Sequence, residues 1–94
     1  MRFEWNPAKA AANQRKHGVA FEEARSVFFD EEARVYDDPD HSLVEERFLI
    51  LGMSLRPRVL VVVHCLRASG EVIRIISARP ATKREHRIYW EQRR

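Results

Sequence analysis

The chain has 94 residues and a mass of 11.1 kDa, enough for one hydrophobic core and too little for two comfortable domains. We therefore predict one domain over residues 1–94. Its 45% apolar and 33% charged residues indicate a packed globular protein, and no apolar run approaches the roughly 20 residues of a membrane-spanning helix. The first residues lack an apolar segment followed by a small-residue cleavage site, so we expect a cytoplasmic protein with no membrane partner.

The net charge is +3, but the charges are divided unevenly along the chain. Residues 1–46 carry 6 Lys and Arg against 11 Asp and Glu, a balance of −5, whereas residues 47–94 carry 11 against 3, a balance of +8. The basic half suits a polyanion such as RNA, or an acidic protein surface, because Lys and Arg neutralise phosphates whatever the sequence. A solvated basic surface without a ligand explains the same charge equally well.

The N-terminal part predicts a short strand followed by two helices. Residues 2–5 favour a strand or an extended arm. Asn6 is a candidate N-cap and Gly18 a candidate left-handed terminator, which predicts a helix over residues 7–17. Apolar side chains then recur at the three- and four-residue spacing of a helix through residues 21–29. Together these two segments predict a helical hairpin.

The rest of the chain has the β-branched and aliphatic runs of strands. The predicted strands are a short one at Val35 and Tyr36 and three longer ones over residues 47–53, 58–67 and 71–79. Pro80 ends the last strand, and Thr82 with Glu85 forms a capping box that opens a final helix. The predicted fold is therefore α+β, in the order β-α-α-β-β-β-β-α. We expect an antiparallel sheet with the N-terminal helical hairpin on one face and a C-terminal helix.

The loop between the last two strands determines which side chains share a face of the sheet. We predict a three-residue loop over residues 68–70, with Gly70 in the left-handed conformation. This loop places His64 opposite Arg74, on a face that the helices leave open. A two-residue loop would instead bring Arg79 to the side of His64.

Histidine, arginine and carboxylate side chains together suit RNA cleavage without a metal or other cofactor. The 2′-hydroxyl of RNA attacks the adjacent phosphate when a base accepts its proton and cations stabilise the transition state. Imidazole and carboxylate suit the proton steps near neutral pH, and the guanidinium fork donates two parallel hydrogen bonds to a phosphate. The predicted catalytic residues are His64, Arg74, Arg79 and Glu46.

Each of these assignments has a structural alternative. A histidine within an apolar strand, such as His64, is more often a hydrogen-bonded core residue than a catalyst. Arg74 can form a salt bridge with Glu46 or Glu71, and Arg67 is most simply a partner of Glu71. Arg79, at the end of a strand and beside the start of the last helix, is well placed for an anion.

Basic and aromatic side chains around this group extend it into a predicted RNA-binding surface. Lys16 and His17 end the first helix, where the helix dipole favours cations regardless of function. Tyr89 can stack on a base, although its helical spacing from Glu85 indicates core packing instead. The predicted RNA-binding residues are Arg47, Arg67, Lys16, His17, Lys83, Arg84 and Tyr89.

Residue types that bind metals also occur, without the context of a metal site. The acidic turn contains Asp37, Asp38, Asp40 and His41. Pro39 and the surrounding turn residues make a solvated loop the simpler interpretation. Cys65 lies within an apolar strand, where a small buried side chain is the simpler interpretation.

Four segments, FEWNPAKAAANQRKHGVAFEEA, EERFLILG, LVVVH and IRIISARPATKREHRIY, cover most of the chain. Together they closely resemble the BrnT family of toxins from type II toxin–antitoxin systems. The resemblance implies a RelE-like ribonuclease, an mRNA interferase inhibited by a BrnA-like antitoxin with a ribbon-helix-helix DNA-binding domain. It also implies that the pair represses its own operon, so that operator DNA is bound only through the complex.

Two positions depart from the pattern of that family. Ala20 replaces the usual Ser or Asp before the second helix, and the lost cap hydrogen bond costs about 1 kcal/mol. Pro80 stands where a basic residue is common, which removes a cation near the predicted site. The predicted function is a metal-independent endoribonuclease toxin. The alternative is a non-catalytic RNA-binding or co-repressor partner of a DNA-binding protein.

Overall fold

Five strands and three helices make up the computed structural model, which describes residues 1–39 and 46–91. In chain order they are β1 (Arg2–Glu4), α1 (Pro7–His17), α2 (Phe21–Ser26), β2 (Arg34–Asp37), β3 (Phe48–Met53), β4 (Val59–Arg67), β5 (Val72–Pro80) and α3 (Lys83–Glu91). A 3₁₀ turn extends α2 over Val27–Phe29, and a tight turn over Ala68–Gly70 connects β4 to β5. The predicted α+β class is confirmed. No helix in these residues is long and apolar enough to cross a bilayer.

The ends of α1 follow from local side-chain chemistry. The Oδ1 atom of Asn6 accepts hydrogen bonds from the backbone N–H groups of Ala8 at 2.8 Å and Lys9 at 3.1 Å. Gly18 ends the helix with a φ of 70°. The predicted bounds of this helix are confirmed. No side chain caps α2 at Ala20, as expected from the sequence.

The strands form one sheet in the order β1-β5-β4-β3-β2, and the sheet is mixed rather than antiparallel. β1 runs parallel to β5, with Glu4 beside Arg74, whereas the other neighbouring strands are antiparallel. The prediction of a purely antiparallel sheet was therefore wrong. A three-residue strand is too short for a pattern that identifies its partner strand. The partner, β5, also lies far along the chain, so no local signal indicates the pairing.

Hydrophobic side chains pack on both faces of the sheet. The face covered by α1 and α2, called here the hairpin face, contains Val19, Phe21, Ala24 and Val27 of the helical layer and Ile50, Leu60, Val62, Ile73, Ile75 and Ala78 of the sheet. The opposite face, called here the α3 face, contains a smaller cluster of Leu51, Val59, Val61 and Tyr89. Tyr89 of α3 covers the part of this face formed by β3 and the start of β4, whereas Arg74, further along β5, stays partly exposed.

The β4–β5 connection differs from its prediction by one residue. Glu71 N–H donates a hydrogen bond to the carbonyl of Ala68 at 3.1 Å, so Glu71 belongs to the turn and Arg67 faces Val72 instead. Three successive residues with positive φ, from Ala68 to Gly70, make this longer turn. A shift of one residue exchanges the two faces of a strand.

This register separates two residues that we predicted to face each other. His64 is paired with Ile75, and Arg74 is paired with Cys65. His64 therefore lies on the hairpin face and Arg74 on the α3 face, so the prediction that they share an open face was wrong.

A β-bulge in β5 compensates for this shift further along the strand. Val63 pairs with Ser77 whereas His64 pairs with Ile75, which leaves Ile76 as an extra residue in β5. Arg74 and Arg79 are five residues apart and would lie on opposite faces of a regular strand. The extra residue places both on the α3 face.

A buried amide ties α1 to the edge of β5. Asn13 is 7% exposed, and its Nδ2 atom donates to the carbonyls of Val19 at 3.0 Å and Ala78 at 2.9 Å. Its Oδ1 atom accepts a hydrogen bond from Ala78 N–H at 3.0 Å. Because β1 pairs only with residues 72–74, the amide takes the place of a neighbouring strand at Ala78.

An ion pair between half-buried Arg58 and buried Glu23 ties α2 to the turn between β3 and β4. Arg58 donates hydrogen bonds to the carboxylate of Glu23 at 2.6 and 2.7 Å, and Ser54 donates another at 2.7 Å. The Arg58 guanidinium holds the pKa of Glu23 below its ordinary value. Arg58 also donates to the carbonyl of Gly18 at 2.9 Å, which fixes the end of α1 at this turn.

Candidate nucleic-acid interface

Three arginines project from β4 and β5 onto the α3 face. Arg74 is paired with Cys65 and Arg79 with Val61, and both partners lie on that face. Arg67 ends β4 on the same face, since the next residue back, Leu66, is paired with Ile73 of the hairpin-face core. Guanidinium groups from two adjacent strands therefore share one surface.

Glu4 connects two of these arginines. Its Oε2 atom accepts a hydrogen bond from Arg74 Nη1 at 2.8 Å and lies 3.6 Å from Arg67 Nε. Arg74 thus forms a salt bridge, as the structural alternative expected, but with a carboxylate from β1 instead of Glu46 or Glu71. Sequence reasoning missed Glu4 because only the parallel pairing of β1 with β5 brings it here.

Arg79 is held by a carboxylate from the first turn of α3. Its Nη1 and Nη2 atoms donate to the two oxygens of Glu85 at 2.7 and 2.9 Å. This pairing, assisted by the Thr82 N–H, lowers the pKa of Glu85 to about 2, and it raises the pKa of Arg79. The predicted capping box is confirmed, because Glu85 N–H also donates to Thr82 Oγ1 at 3.1 Å.

His64 lies beneath the helical layer and not on the open face. It is 4% exposed, with the ring of Phe28 edge-on at 4.8 Å between centroids and the ring of Phe48 at 5.9 Å. Burial lowers the pKa of His64 below its ordinary value, which favours the neutral ring. The interpretation of His64 as a core residue therefore fits its observed position.

Tyr89 is also buried, so it presents no ring for a base to stack on. It is 2% exposed, and its hydroxyl donates to Asp30 Oδ2 at 2.7 Å. The same Asp30 oxygen accepts from Met53 N–H at 2.8 Å, which ties α3 to the end of β3. The predicted RNA contact of Tyr89 was wrong, and the core-packing alternative is what the structure contains.

The other predicted residues lie at the surface or at strand ends. Those exposed to solvent are Lys16, Glu46, Arg67, Lys83 and Arg84, and those half-buried are His17, Arg47, Arg74 and Arg79. Cys65 is buried, as its interpretation as a core residue predicts. Asp40 and His41 of the acidic turn lie outside the described residues. Within residues 1–39 and 46–91 no three His, Cys, Asp or Glu side chains are grouped to hold a metal ion.

An apolar groove of about 240 Å³ separates α3 from the open part of the α3 face. Its lining residues are Tyr36, Leu49, Leu51, Val61, Glu85 and Ile88. Sequence reasoning treated Tyr36 only as a strand residue, and its pairing with Leu49 is what points it into this groove. The groove brings an apolar surface next to the Arg79–Glu85 pair.

Comparison with known proteins places the chain in a family. The family described as "Ribonuclease toxin, BrnT, of type II toxin-antitoxin system" matches residues 5–85. The protein belongs to this BrnT family, and the resemblance seen in the sequence is confirmed. Membership implies an RNA target and an antitoxin partner.

The fold is shared with a solved member of that family. The chain is similar to the crystal structure of the Brucella abortus ribonuclease toxin, BrnT, with a TM-score of 0.68 and 21% sequence identity. The similarity covers 88% of this chain and 99% of that one. No curated protein sequence matches the chain.

Proposed function

We propose that the protein is a metal-independent endoribonuclease whose RNA substrate lies on the α3 face. The observation that carries this proposal is the shared face of Arg67, Arg74 and Arg79. A planar guanidinium donates paired hydrogen bonds to phosphate oxygens, and several of them together neutralise the charge that develops at the reacting phosphate.

In this mechanism the 2′-oxygen forms a bond to the adjacent phosphorus while the bond to the 5′-oxygen breaks. The 2′-hydroxyl proton passes to a carboxylate, for which we propose Glu46, and the departing oxygen takes up a proton from water to become a 5′-hydroxyl. Arg74 and Arg79 stabilise the phosphate in the transition state. His64 has no part in these steps, since it is buried on the hairpin face against Phe28.

The carboxylates on the α3 face act as internal competitors of the substrate. Glu4 already holds Arg74, and Glu85 already holds Arg79. A phosphate must therefore replace or share these contacts when RNA binds. Both pairs are partly exposed to solvent, which supports such an exchange.

For partners, we propose inhibition by a BrnA-like ribbon-helix-helix antitoxin, repression of the operon by the complex, and a cytoplasmic location. Family membership supports these proposals, as does a surface that combines arginines with an apolar groove. An acidic, amphipathic segment on the α3 face would neutralise the arginines and exclude RNA. The RelE-like relationship implied by the sequence resemblance belongs to the same proposal.

A second candidate is a non-catalytic RNA-binding or co-repressor partner. It is favoured by the position of His64, the only histidine in the described strands. Because that ring lies on the hairpin face, no imidazole of the sheet accompanies Arg74 or Arg79. In this alternative the arginines supply affinity alone.

A cleavage assay on single-stranded RNA with EDTA present separates these functions. A product that ends in a 2′,3′-cyclic phosphate supports the proposed nuclease, and binding without cleavage supports the second candidate. Activity that EDTA abolishes would contradict both the metal-independent mechanism and the binding-only alternative.

Variants of the arginines test the site within the same assay. We expect Arg74→Gln or Arg79→Gln to lower the cleavage rate by about 10²-fold, the usual effect of losing one donor to the transition state. Arg56→Gln is the charge-matched control, because Arg56 is an exposed residue of the β3–β4 turn. Cleavage at the wild-type rate by both site variants would show that the arginines were assigned wrongly.

A further inference from the structure

A second groove, of about 260 Å³, lies between α1 and the edge of β5, away from the apolar groove of the α3 face. Its lining includes Lys9, Lys16 and His17 of α1 and Ile76 and Ser77 of β5. The groove is open because β1 stops beside Arg74 and leaves the rest of the β5 edge without a neighbouring strand. The bulge at Ile76 lies within this stretch.

The basic side chains of this groove have no anionic partner among residues 1–39 and 46–91. The side chains of Lys9, Lys16 and His17 form neither ion pairs nor hydrogen bonds there, and α1 contains no acidic residue. Arg74 and Arg79 differ in this respect, because each already holds a carboxylate. A polyanion that binds the groove therefore gains contacts without displacing internal ones.

The spacing of these cations suits a chain of phosphates. Lys9 and Lys16 are seven residues apart, which is two helical turns or roughly 10 Å along α1, so both lie on one side of the helix. Ile76 and Ser77 of β5 line the groove on the side opposite these lysines. The two ammonium groups thus form a track of positive charge along the groove.

The track leads toward the arginines of the α3 face. Arg58 donates a hydrogen bond to the carbonyl of Gly18 at 2.9 Å, and the adjacent Val59 accepts one from Ala81 N–H at 3.0 Å. The end of α1 and the start of α3 therefore lie at the same end of the sheet. Lys83 and Arg84, both exposed, continue the positive charge from this end of β5 onto α3.

We infer that the groove between α1 and β5 binds successive phosphates of the substrate RNA, beside the position that is cleaved. This inference rests on the proposed function and extends its substrate site around the edge of β5. An acidic protein segment fits less well, because Ile76 is the only large apolar side chain in the groove, whereas protein partners bind through apolar anchors. The apolar groove of the α3 face offers such anchors.

The test measures the affinity for a short 2′-O-methylated RNA, which binds but lacks the attacking hydroxyl, over a series of salt concentrations. Each phosphate contact on a single strand contributes about 0.7 to the slope of log affinity against log salt. We expect the double variant Lys9→Gln/Lys16→Gln to bind more weakly, with a slope shallower by about 1.4.

The matched control is Arg15→Gln/Arg56→Gln, which removes the same charge from exposed residues of α1 and of the β3–β4 turn. We expect its slope to stay close to that of the wild type. An equal loss in both double variants would overturn the inference in favour of a diffuse positive field.

Two further ligands distinguish the sources of the anion. Inorganic phosphate should shift the Ser77 amide resonance much less than RNA of equal phosphate content, because one phosphate cannot reach both lysines. Equal shifts would assign the groove to a free phosphate and overturn the RNA track. Loss of poly-glutamate binding in the groove variant, with RNA affinity retained, would assign it to an acidic polypeptide.

Cleavage of unmodified RNA by the same proteins separates this inference from the proposed function. If the wild type cleaves RNA and the groove variant binds RNA as tightly as the wild type, the role of the groove is wrong and the proposed nuclease function stands. If the groove variant binds RNA more weakly but the wild type does not cleave RNA, the groove is an RNA-binding site and the proposed nuclease function is wrong. A wild-type protein that binds no RNA would overturn both.

Discussion

Each arginine on the α3 face lies beside a carboxylate of the same protein. Glu4 lies between Arg67 and Arg74, and Glu85 holds Arg79 in a two-point contact. Such pairing keeps the guanidinium groups in fixed orientations while reducing their attraction for a distant anion. The carboxylates therefore influence both the geometry and the affinity of the proposed RNA site.

Replacing Glu4 separates these two effects. Glu4→Gln removes the negative charge and retains a hydrogen-bond acceptor for Arg74, so we expect tighter binding of the 2′-O-methylated RNA. Glu71→Gln, at an exposed position of the β4–β5 turn, is the control for the change in net charge. If Glu4→Gln bound RNA more weakly, the main effect of Glu4 would be to position the arginines.

His64 makes stability depend on pH through its burial. Its folded-state pKa is lowered, so the unfolded chain takes up a proton more readily as pH falls below the ordinary value of about 6.5. Its contribution to stability is complete above that pH and is lost progressively below it. We expect the free energy of unfolding to fall between about pH 7 and pH 5.5, and this slope to flatten in His64→Leu.

The measurement is urea denaturation at a series of pH values. His86→Gln is the matched control, because it removes an imidazole from an exposed position of α3. A slope that persists in His64→Leu would assign the pH dependence to other groups.

At the scale of elements, a side chain of α1 forms the hydrogen bonds that a neighbouring strand would otherwise form at one edge of the sheet. Beyond β1, the amide of Asn13 bonds both backbone groups of Ala78 and so connects α1 to β5. This connection holds one wall of the proposed phosphate groove in place. It also limits the unpaired edge that β5 presents to other chains.

Removal of the Asn13 amide should destabilise the protein. Asn13→Ala leaves buried backbone groups of Ala78 and Val19 without partners, so we expect a loss of about 2–4 kcal/mol in the free energy of unfolding. Gln14→Ala, at the exposed neighbouring position, should change stability little. Urea denaturation measures both, and hydrogen exchange at the Ala78 amide should accelerate only in the first variant. Unchanged exchange there would contradict this account.

The elements that the sequence predicted well are those with local signals. Asn6 and Gly18 bracket α1, and Thr82 with Glu85 begins α3, because caps act within a few residues. The parallel partner of β1, the longer turn after Arg67 and the extra residue in β5 depend on contacts between distant segments. For that reason the predicted register did not bring Arg74 and Arg79 to one face, and it placed His64 beside Arg74, where the structure has Glu4.

At the scale of the whole molecule, the two halves of the charge distribution are mixed by folding. Lys9 and Lys16 belong to the acidic half of the sequence, yet α1 places them beside β5, which belongs to the basic half. The positive surface therefore runs from α1 around the edge of β5 to α3. The net charge of +3 understates the field that a polyanion meets on this side.

Salt should accordingly affect RNA binding far more than folding. We expect the logarithm of RNA affinity to fall linearly with the logarithm of salt concentration, because phosphate contacts release counterions. The free energy of unfolding should change little over the same range, since hydrophobic cores lie on both faces of the sheet. Fluorescence titration and urea denaturation in matched buffers provide the comparison. An RNA affinity that does not change with salt concentration would contradict binding through phosphate contacts.

The extra residue at Ile76 also constrains how this chain can diverge. Deletion of this residue would leave Arg74 and Arg79 four positions apart in a regular strand and still on one face, whereas a further inserted residue between them would turn one arginine toward the helical layer. Lineages that keep this surface should therefore retain the bulge or lose it by deleting one residue, and should lack insertions between the two arginines.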